Sequence, residues 1–307
     1  MTVTDSQLHT AVHSPIATPE RVISARGLGK RYGRQAVLAD IDLDIPAGRI
    51  VGLIGPNGAG KTTLLNALLG LTHHEGELQV LGRDPARERD ALMREVCFIA
   101  DVATLPNWLR VAEAIRLVEG LHPAFDRTRC ERLLARSELP LKKRIRQLSK
   151  GMVVQLHLAL IMAIDARLLV LDEPTLGLDL LFRRQFYQNL LGDYFDDGRT
   201  IVITTHQVEE VEHILTDIVF LRGGRKILDT RMESLGERFV ELRVPPANLE
   251  PVRALGPIGE RRLLGSHGLI FDLEHGHMRA QLTEYGELHT PALADLFTAC
   301  MTTGANA

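Results

Sequence analysis

An α/β core, in which helices cover both faces of a mostly parallel sheet, is the fold class this sequence predicts, and three observations carry it. Short apolar runs without alternation, at Ile50–Ile54, Val96–Ile99, Leu168–Leu171 and Ile201–Ile203, read as strands covered on both faces. They alternate with segments of helical periodicity, the order that builds a parallel sheet. A glycine-rich loop, Gly55–Thr62, leaves the first of these runs directly and opens a helix.

Taken in chain order, residues 1–20 mix Thr, His, Ser, Asp and two prolines without a basic start or an apolar stretch. That composition predicts a disordered tail and not a secretory signal. Val37–Ile45 alternates, Ile41, Leu43 and Ile45 on one face and Asp40, Asp42 and Asp44 on the other, as a half-solvated strand does. Pro46-Ala47-Gly48 turns the chain into the buried run Ile50–Ile54, and Lys61–Leu69 follows the glycine loop as a helix stopped at Gly70. Between about residues 91 and 165 the spacing in Val111–Leu121 and Arg127–Leu134 is helical, which predicts a helical insertion between core strands. Val219–Leu228 reads as a hairpin turning at Gly223-Gly224. Residues 231–307 differ in character: strand-like Val240–Val244 and Leu269–Leu273, then helix-like Pro291–Met301, predict a small α+β accessory domain.

The bulk composition excludes several classes. With 307 residues, 45% of them hydrophobic, the chain can bury one sizeable core and a small second domain. A formal net charge of -3 gives no field that would favour nucleic acid. Apolar stretches such as Leu156–Ile164 end at Asp165, well short of the roughly 20 residues a membrane helix needs. Cys97, Cys130 and Cys300 have neither zinc-site nor redox spacing and are expected to be reduced core thiols of a cytoplasmic protein.

The chemistry begins at Gly55-Pro56-Asn57-Gly58-Ala59-Gly60-Lys61-Thr62-Thr63, which matches G-x-x-x-x-G-K-[ST] in the strand–loop–helix context that gives the pattern meaning. Its glycines let successive N–H groups curl around phosphate oxygens, and the helix N-terminus adds partial positive charge. Lys61 then reaches the β- and γ-phosphates and Thr62 ligates Mg²⁺. A second element, Leu168-Leu169-Val170-Leu171-Asp172-Glu173, delivers two carboxylates at the C-terminal end of a strand, where α/β proteins bind ligands. Asp172 suits the Mg²⁺ shell, and Glu173 suits the orientation and deprotonation of a water. Ser149 and Gly151, in Leu148-Ser149-Lys150-Gly151-Met152, sit at a helix start that fits phosphate, although alone they are an ordinary N-cap. His206 ends the run Ile201-Val202-Ile203-Thr204-Thr205, within reach of a terminal phosphate.

In this order and spacing the pieces resemble the nucleotide-binding subunit of an ABC transporter over roughly Val22–Asp229. The resemblance implies a P-loop NTPase core with an antiparallel β subdomain and a helical insertion (residues 21–230), followed by a small α+β C-terminal domain. It implies that Gly55–Thr63 is Walker A, that Leu168–Asp172 is Walker B with Glu173 as catalytic base, and that His206 is the switch histidine. It assigns Ser149, Lys150, Gly151 and Met152 to the signature, which acts on a partner's ATP, Asp179 to the D-loop, and Tyr32 to stacking on adenine. Two departures stand out: Asp101 replaces the usual glutamine that contacts Mg²⁺, and Lys150 replaces a usual glycine.

The resemblance further implies ATP and Mg²⁺ as ligands and a homodimer or heterodimer of ATP-binding subunits. It implies a separate membrane-spanning permease that holds the chain against the inner face of the plasma membrane, with a lean to ABC-2 type export. Two other readings stay on the table. A soluble ABC clamp would show a second phosphate loop or long heptads, and neither is present. A nucleotide-gated regulator without turnover would not need Glu173 and His206.

Overall fold

The computed structural model describes residues 20–100, 105–136, 139–176, 180–196, 198–275 and 279–302. Among them the strands, numbered along the chain, form three sheets. The first is antiparallel, β1 (Arg21–Tyr32), β2 (Gln35–Pro46) and β4 (Glu75–Val80), in the order β2-β1-β4. The core sheet contains β3 (Ile50–Ile54), β5 (Val96–Ile99), β6 (Leu168–Asp172), β7 (Thr200–Thr205), β8 (Asp217–Arg222) and β9 (Arg225–Arg231). Its order is β5-β6-β7-β3-β8-β9, parallel throughout except for the β8–β9 hairpin at the edge. The third sheet, β11 (Gly259–Leu263), β12 (Ser266–Asp272), β10 (Phe239–Val244) and β13 (Glu287–His289), is antiparallel.

Why the core runs lack alternation is visible in their packing. Leu169 and Leu171 of β6 enter one apolar cluster, with Ile50, Ile54, Ile201 and Ile203, while Leu168 and Val170 enter another, with Val51, Leu53 and Val202. Each strand therefore faces apolar layers on both sides, so every position is apolar. The β1–β2–β4 sheet closes one of these layers with Ile23, Leu28, Ile41 and Leu43. Strand β2 keeps its expected alternation, with Ile41, Leu43 and Ile45 buried and Asp42 and Asp44 exposed.

The helical segment has its own cluster, in which Val111 and Ile115 of the helix Val111–Leu121 meet Cys130 and Leu134 of the helix Arg127–Arg136. The expected insertion of residues 91–165 includes β5, which belongs to the core sheet, so the helical part begins after that strand. The thiols are unpaired as expected, but Cys300 is only half-buried where Cys97 and Cys130 are buried.

Beyond residue 231, the four-stranded sheet buries Val240, Leu242, Leu269 and Phe271 in a cluster of its own. The helix Leu293–Thr302 returns to the core. Its Leu293 and Leu296 are fully buried in the same cluster as Ile218 and Phe220 of β8, and Phe297 meets Phe220 edge to face at 5.3 Å. Burial of each leucine is worth ~1.5–3 kcal/mol, enough to hold this helix in place.

Candidate active site

Three adjacent strands end together on one edge of the core sheet. Asp172 at the end of β6 stands opposite Thr204 of β7, and Ile54 at the end of β3 stands opposite Thr205. The loop after β3, the carboxylates after β6 and the histidine after β7 thus emerge side by side, at the carboxyl ends of parallel strands where such sheets receive ligands.

A cavity of about 310 Å³ opens there, lined by Val37, Pro56 to Thr63, Asp172 and Glu173. Its floor is the glycine loop, whose path has little room for side chains. A Cβ on Gly55 would lie 2.5 Å from the carbonyl oxygen of Leu221, and Gly60 caps the helix Lys61–Leu68 at φ 104°, where L side chains are strained. The first turn of that helix carries no acidic residue, so its N–H groups and partial positive charge face the cavity without an internal counter-anion. Lys61 is buried, and its Nζ donates to the Gly55 carbonyl oxygen at 2.7 Å while lying 3.5 Å from Glu173 Oε1. The ammonium thereby straps the loop to itself, and a phosphate is a stronger acceptor than the neutral carbonyl it now contacts.

The carboxylates are anchored in different ways. Asp172, almost fully buried, accepts from Thr62 Oγ1 at 3.0 Å through Oδ2 and from the Thr204 hydroxyl through Oδ1. Hydroxyl and carboxylate oxygens side by side are the donors Mg²⁺ takes when it keeps waters and shares phosphate oxygens. Glu173 has φ 47°, the left-handed region that a side chain of its size seldom adopts. Its N–H donates to Thr204 Oγ1 at 3.1 Å, and its Oε2 lies 3.0 Å from His206 Nδ1. A carboxylate set this way, between an imidazole and an ammonium at the mouth of the loop cavity, can take a proton from a water in that cavity.

Thr204 was not among the residues the sequence singled out. It is fully buried directly after the apolar run Ile201–Ile203, and a buried hydroxyl must find partners, but its burial is not marked in the local sequence. Val37, which lines the cavity from β2, left no signal either.

Other expected residues lie apart from this cavity. Ser149 caps the helix Lys150–Met162, its Oγ accepting from the Met152 N–H at 3.2 Å; Ser149 and Lys150 are exposed, Gly151 is buried and Met152 half-buried. Tyr32 is exposed, with the Lys30 ammonium 4.8 Å from its ring centre, and does not line the cavity. Asp101 and Asp179 lie outside the described residues.

The family described as ABC transporter matches residues 38–176. The Nod factor export ATP-binding protein I of Cupriavidus metallidurans is 35% identical over 292 residues, covering 90% of this chain and 96% of that protein. The protein of the same name from Rhizobium johnstonii is 32% identical over 301 residues, covering 92% and 94%. A solved ATP-binding subunit of an ABC transporter is 26% identical, covers 70% of this chain and 92% of its own, and superposes with a TM-score of 0.63. A nucleotide-free ATP-binding cassette, at 17% identity and a TM-score of 0.60, shares the fold. Among the described residues no helix is long and apolar enough to cross a membrane. Along nine-tenths of its length in sequence, the chain belongs to the ATP-binding subunits of ABC transporters, a family that binds and hydrolyses ATP.

Proposed function

We propose that this subunit converts ATP hydrolysis into export through a separate membrane-spanning permease, with Glu173 as the general base. The observation that carries the assignment is the Glu173 carboxylate held 3.0 Å from His206 and 3.5 Å from Lys61 at the loop cavity. In this reading Gly55 to Thr63 wrap the phosphates of ATP with backbone N–H groups, and Lys61 exchanges the Gly55 carbonyl for phosphate oxygens. Thr62 and Asp172 hold Mg²⁺, which when bound offsets charge on those oxygens. Glu173 accepts the proton of the attacking water, and His206 fixes the carboxylate's direction.

Ser149 and Lys150 are exposed at a helix start, with Gly151 and Met152 beneath them, and none of the four lines their own chain's cavity. That placement supports a head-to-tail dimer in which this segment completes the partner's site; in the same reading Tyr32 stacks on adenine, Asp179 belongs to the D-loop, and Asp101 stands at the Mg²⁺ beside Thr62 and Asp172. Export, rather than import, is supported by the relatives named for Nod factor export. The chain would then sit on the cytoplasmic face of a membrane by way of the permease. In functional terms residues 21–230 form the cassette and 231–307 an accessory unit.

The test is Glu173→Gln, which removes the base and keeps the shape. Steady-state hydrolysis is expected to fall by about 100-fold or more with nucleotide affinity retained. Wild-type turnover in this variant would overturn the assignment.

A further inference from the structure

Outside the cavity lining, a polar cluster joins the segment that follows Glu173 to the segment that follows His206. Thr175, buried, is two positions past Glu173, and its hydroxyl lies 3.2 Å from the Tyr187 hydroxyl and donates to Glu210 Oε2 at 3.2 Å. Glu210, on the short helix Val208–Val211, is also paired through Oε1 with the guanidinium of Arg183. Arg183 donates in addition to Oε1 of Gln207 at 2.6 Å, and Gln207 is the residue after His206. Thr175, Glu210, Arg183 and Gln207 therefore form a chain of contacts from one member of the Glu173–His206 pair to the other.

Two features say what such a chain is for. The left-handed backbone of Glu173 persists only where neighbouring structure over-determines it. The Glu173 N–H donates to the hydroxyl and carbonyl oxygens of Thr204, whereas the residues after Glu173 are held through Thr175. His206 is bracketed likewise: the Gln207 N–H donates to Thr205 Oγ1 at 2.9 Å, and the Gln207 side chain is held by Arg183. The 3.0 Å contact between Glu173 and His206 crosses between two strand ends, so its length depends on how both are fixed.

We infer that Thr175 and Glu210, with Arg183 as the bridge, are positioning residues for hydrolysis: they set the direction of the Glu173 carboxylate towards His206 without touching nucleotide. This rests on the assignment of Glu173 as the base. It predicts that loosening the cluster slows the chemical step and leaves binding alone, because none of its members lines the cavity. The pair acts as one unit, so losses at Thr175 and Glu210 do not add.

The experiment compares Thr175→Val, Thr175→Ser, Glu210→Gln and the Thr175→Val/Glu210→Gln double variant by steady-state ATPase kinetics and thermal melting of the full chain. Thr175→Val is expected to lower kcat about tenfold with KM within twofold, Thr175→Ser to restore at least half of the activity, and the double variant to be no slower than the slower single one. Glu173→Gln runs alongside. If it keeps turnover, the base is misassigned and the cluster has nothing to position. If it abolishes turnover while folded Thr175→Val and Glu210→Gln keep the wild-type kcat, the positioning role alone is refuted. A loss that Thr175→Ser fails to rescue, or that tracks the fall in melting temperature, also refutes it.

Discussion

Thr204→Val isolates one hydroxyl that serves two carboxylate-bearing residues at once. Valine has nearly the same volume, so no cavity forms, and the effect is that of the hydrogen bonds alone. Wild-type Thr204 donates to Asp172 Oδ1 and accepts from the Glu173 N–H at 3.1 Å, with the side chain fully buried. Losing a bond to a charged acceptor costs about 1.5–3 kcal/mol net of desolvation, while the Glu173 N–H keeps the Thr204 carbonyl oxygen, at 3.2 Å, as its acceptor. The expected net loss is therefore about 1.5–3 kcal/mol. Urea unfolding followed by far-ultraviolet circular dichroism reads this as a lower midpoint at unchanged slope. Hydrolysis should fall as well, because the strained backbone of Glu173 keeps only one of its two acceptors on Thr204 and Asp172 loses a donor. Thr204→Ser keeps the hydroxyl and should regain most of both quantities. A Thr204→Val protein within about 0.5 kcal/mol of wild type would refute the reasoning, since that is the range of an ordinary surface change.

Two glycines should answer alanine with opposite signs. Gly224, at φ 76° in the turn between β8 and β9, would place a Cβ 2.2 Å from the Val37 carbonyl oxygen, so Gly224→Ala should destabilise strongly and disturb the phosphate loop, whose Ala59 carbonyl accepts from the Gly224 N–H. Gly120, exposed in the last turn of the helix Val111–Leu121 with open space around it, should gain roughly 0.5–1 kcal/mol as alanine, measured by the same unfolding curves. Acid should destabilise in two stages. Burial lowers the affinity of His157 and His74 for a proton, so their contribution is complete above 6.5 and declines as pH falls below it. Hydrogen bonds from Arg167 and then Arg83 hold the Glu95 carboxyl below its ordinary value of 4.5, so its contribution is lost only as pH drops further, through the lowered value. His157→Leu should shrink the first stage and spare the second; an unchanged pH profile in this variant would refute the burial effect.

The sheet was legible because doubly covered strands leave unbroken apolar runs, and Leu168–Leu171 shows this with alternate residues in opposite layers. The glycine loop was legible because its geometry excludes side chains at Gly55 and Gly60, which leaves a spacing in the sequence. Thr204 and the Thr175–Glu210–Arg183 cluster were not legible in the same way. Their importance lies in contacts across 24 to 35 positions of chain, and nothing in the local sequence distinguishes a threonine that bridges from one that fills space. The attachment of the last helix was equally hidden. Leu293, Leu296 and Ala299 show the helical period but do not say which surface they cover.

That helix also bears on the order of assembly. Arg222 donates to the carbonyl oxygen of Cys300 across 78 positions, and Phe297 covers Phe220 of β8. During synthesis the nucleotide half is finished well before its cover exists, and the face of β8 stays wet and apolar in the interval. Folding of the first half is thus a loan against residues still to be made. A chain interrupted in that interval would present a sticky, native-like surface, with its phosphate loop already formed.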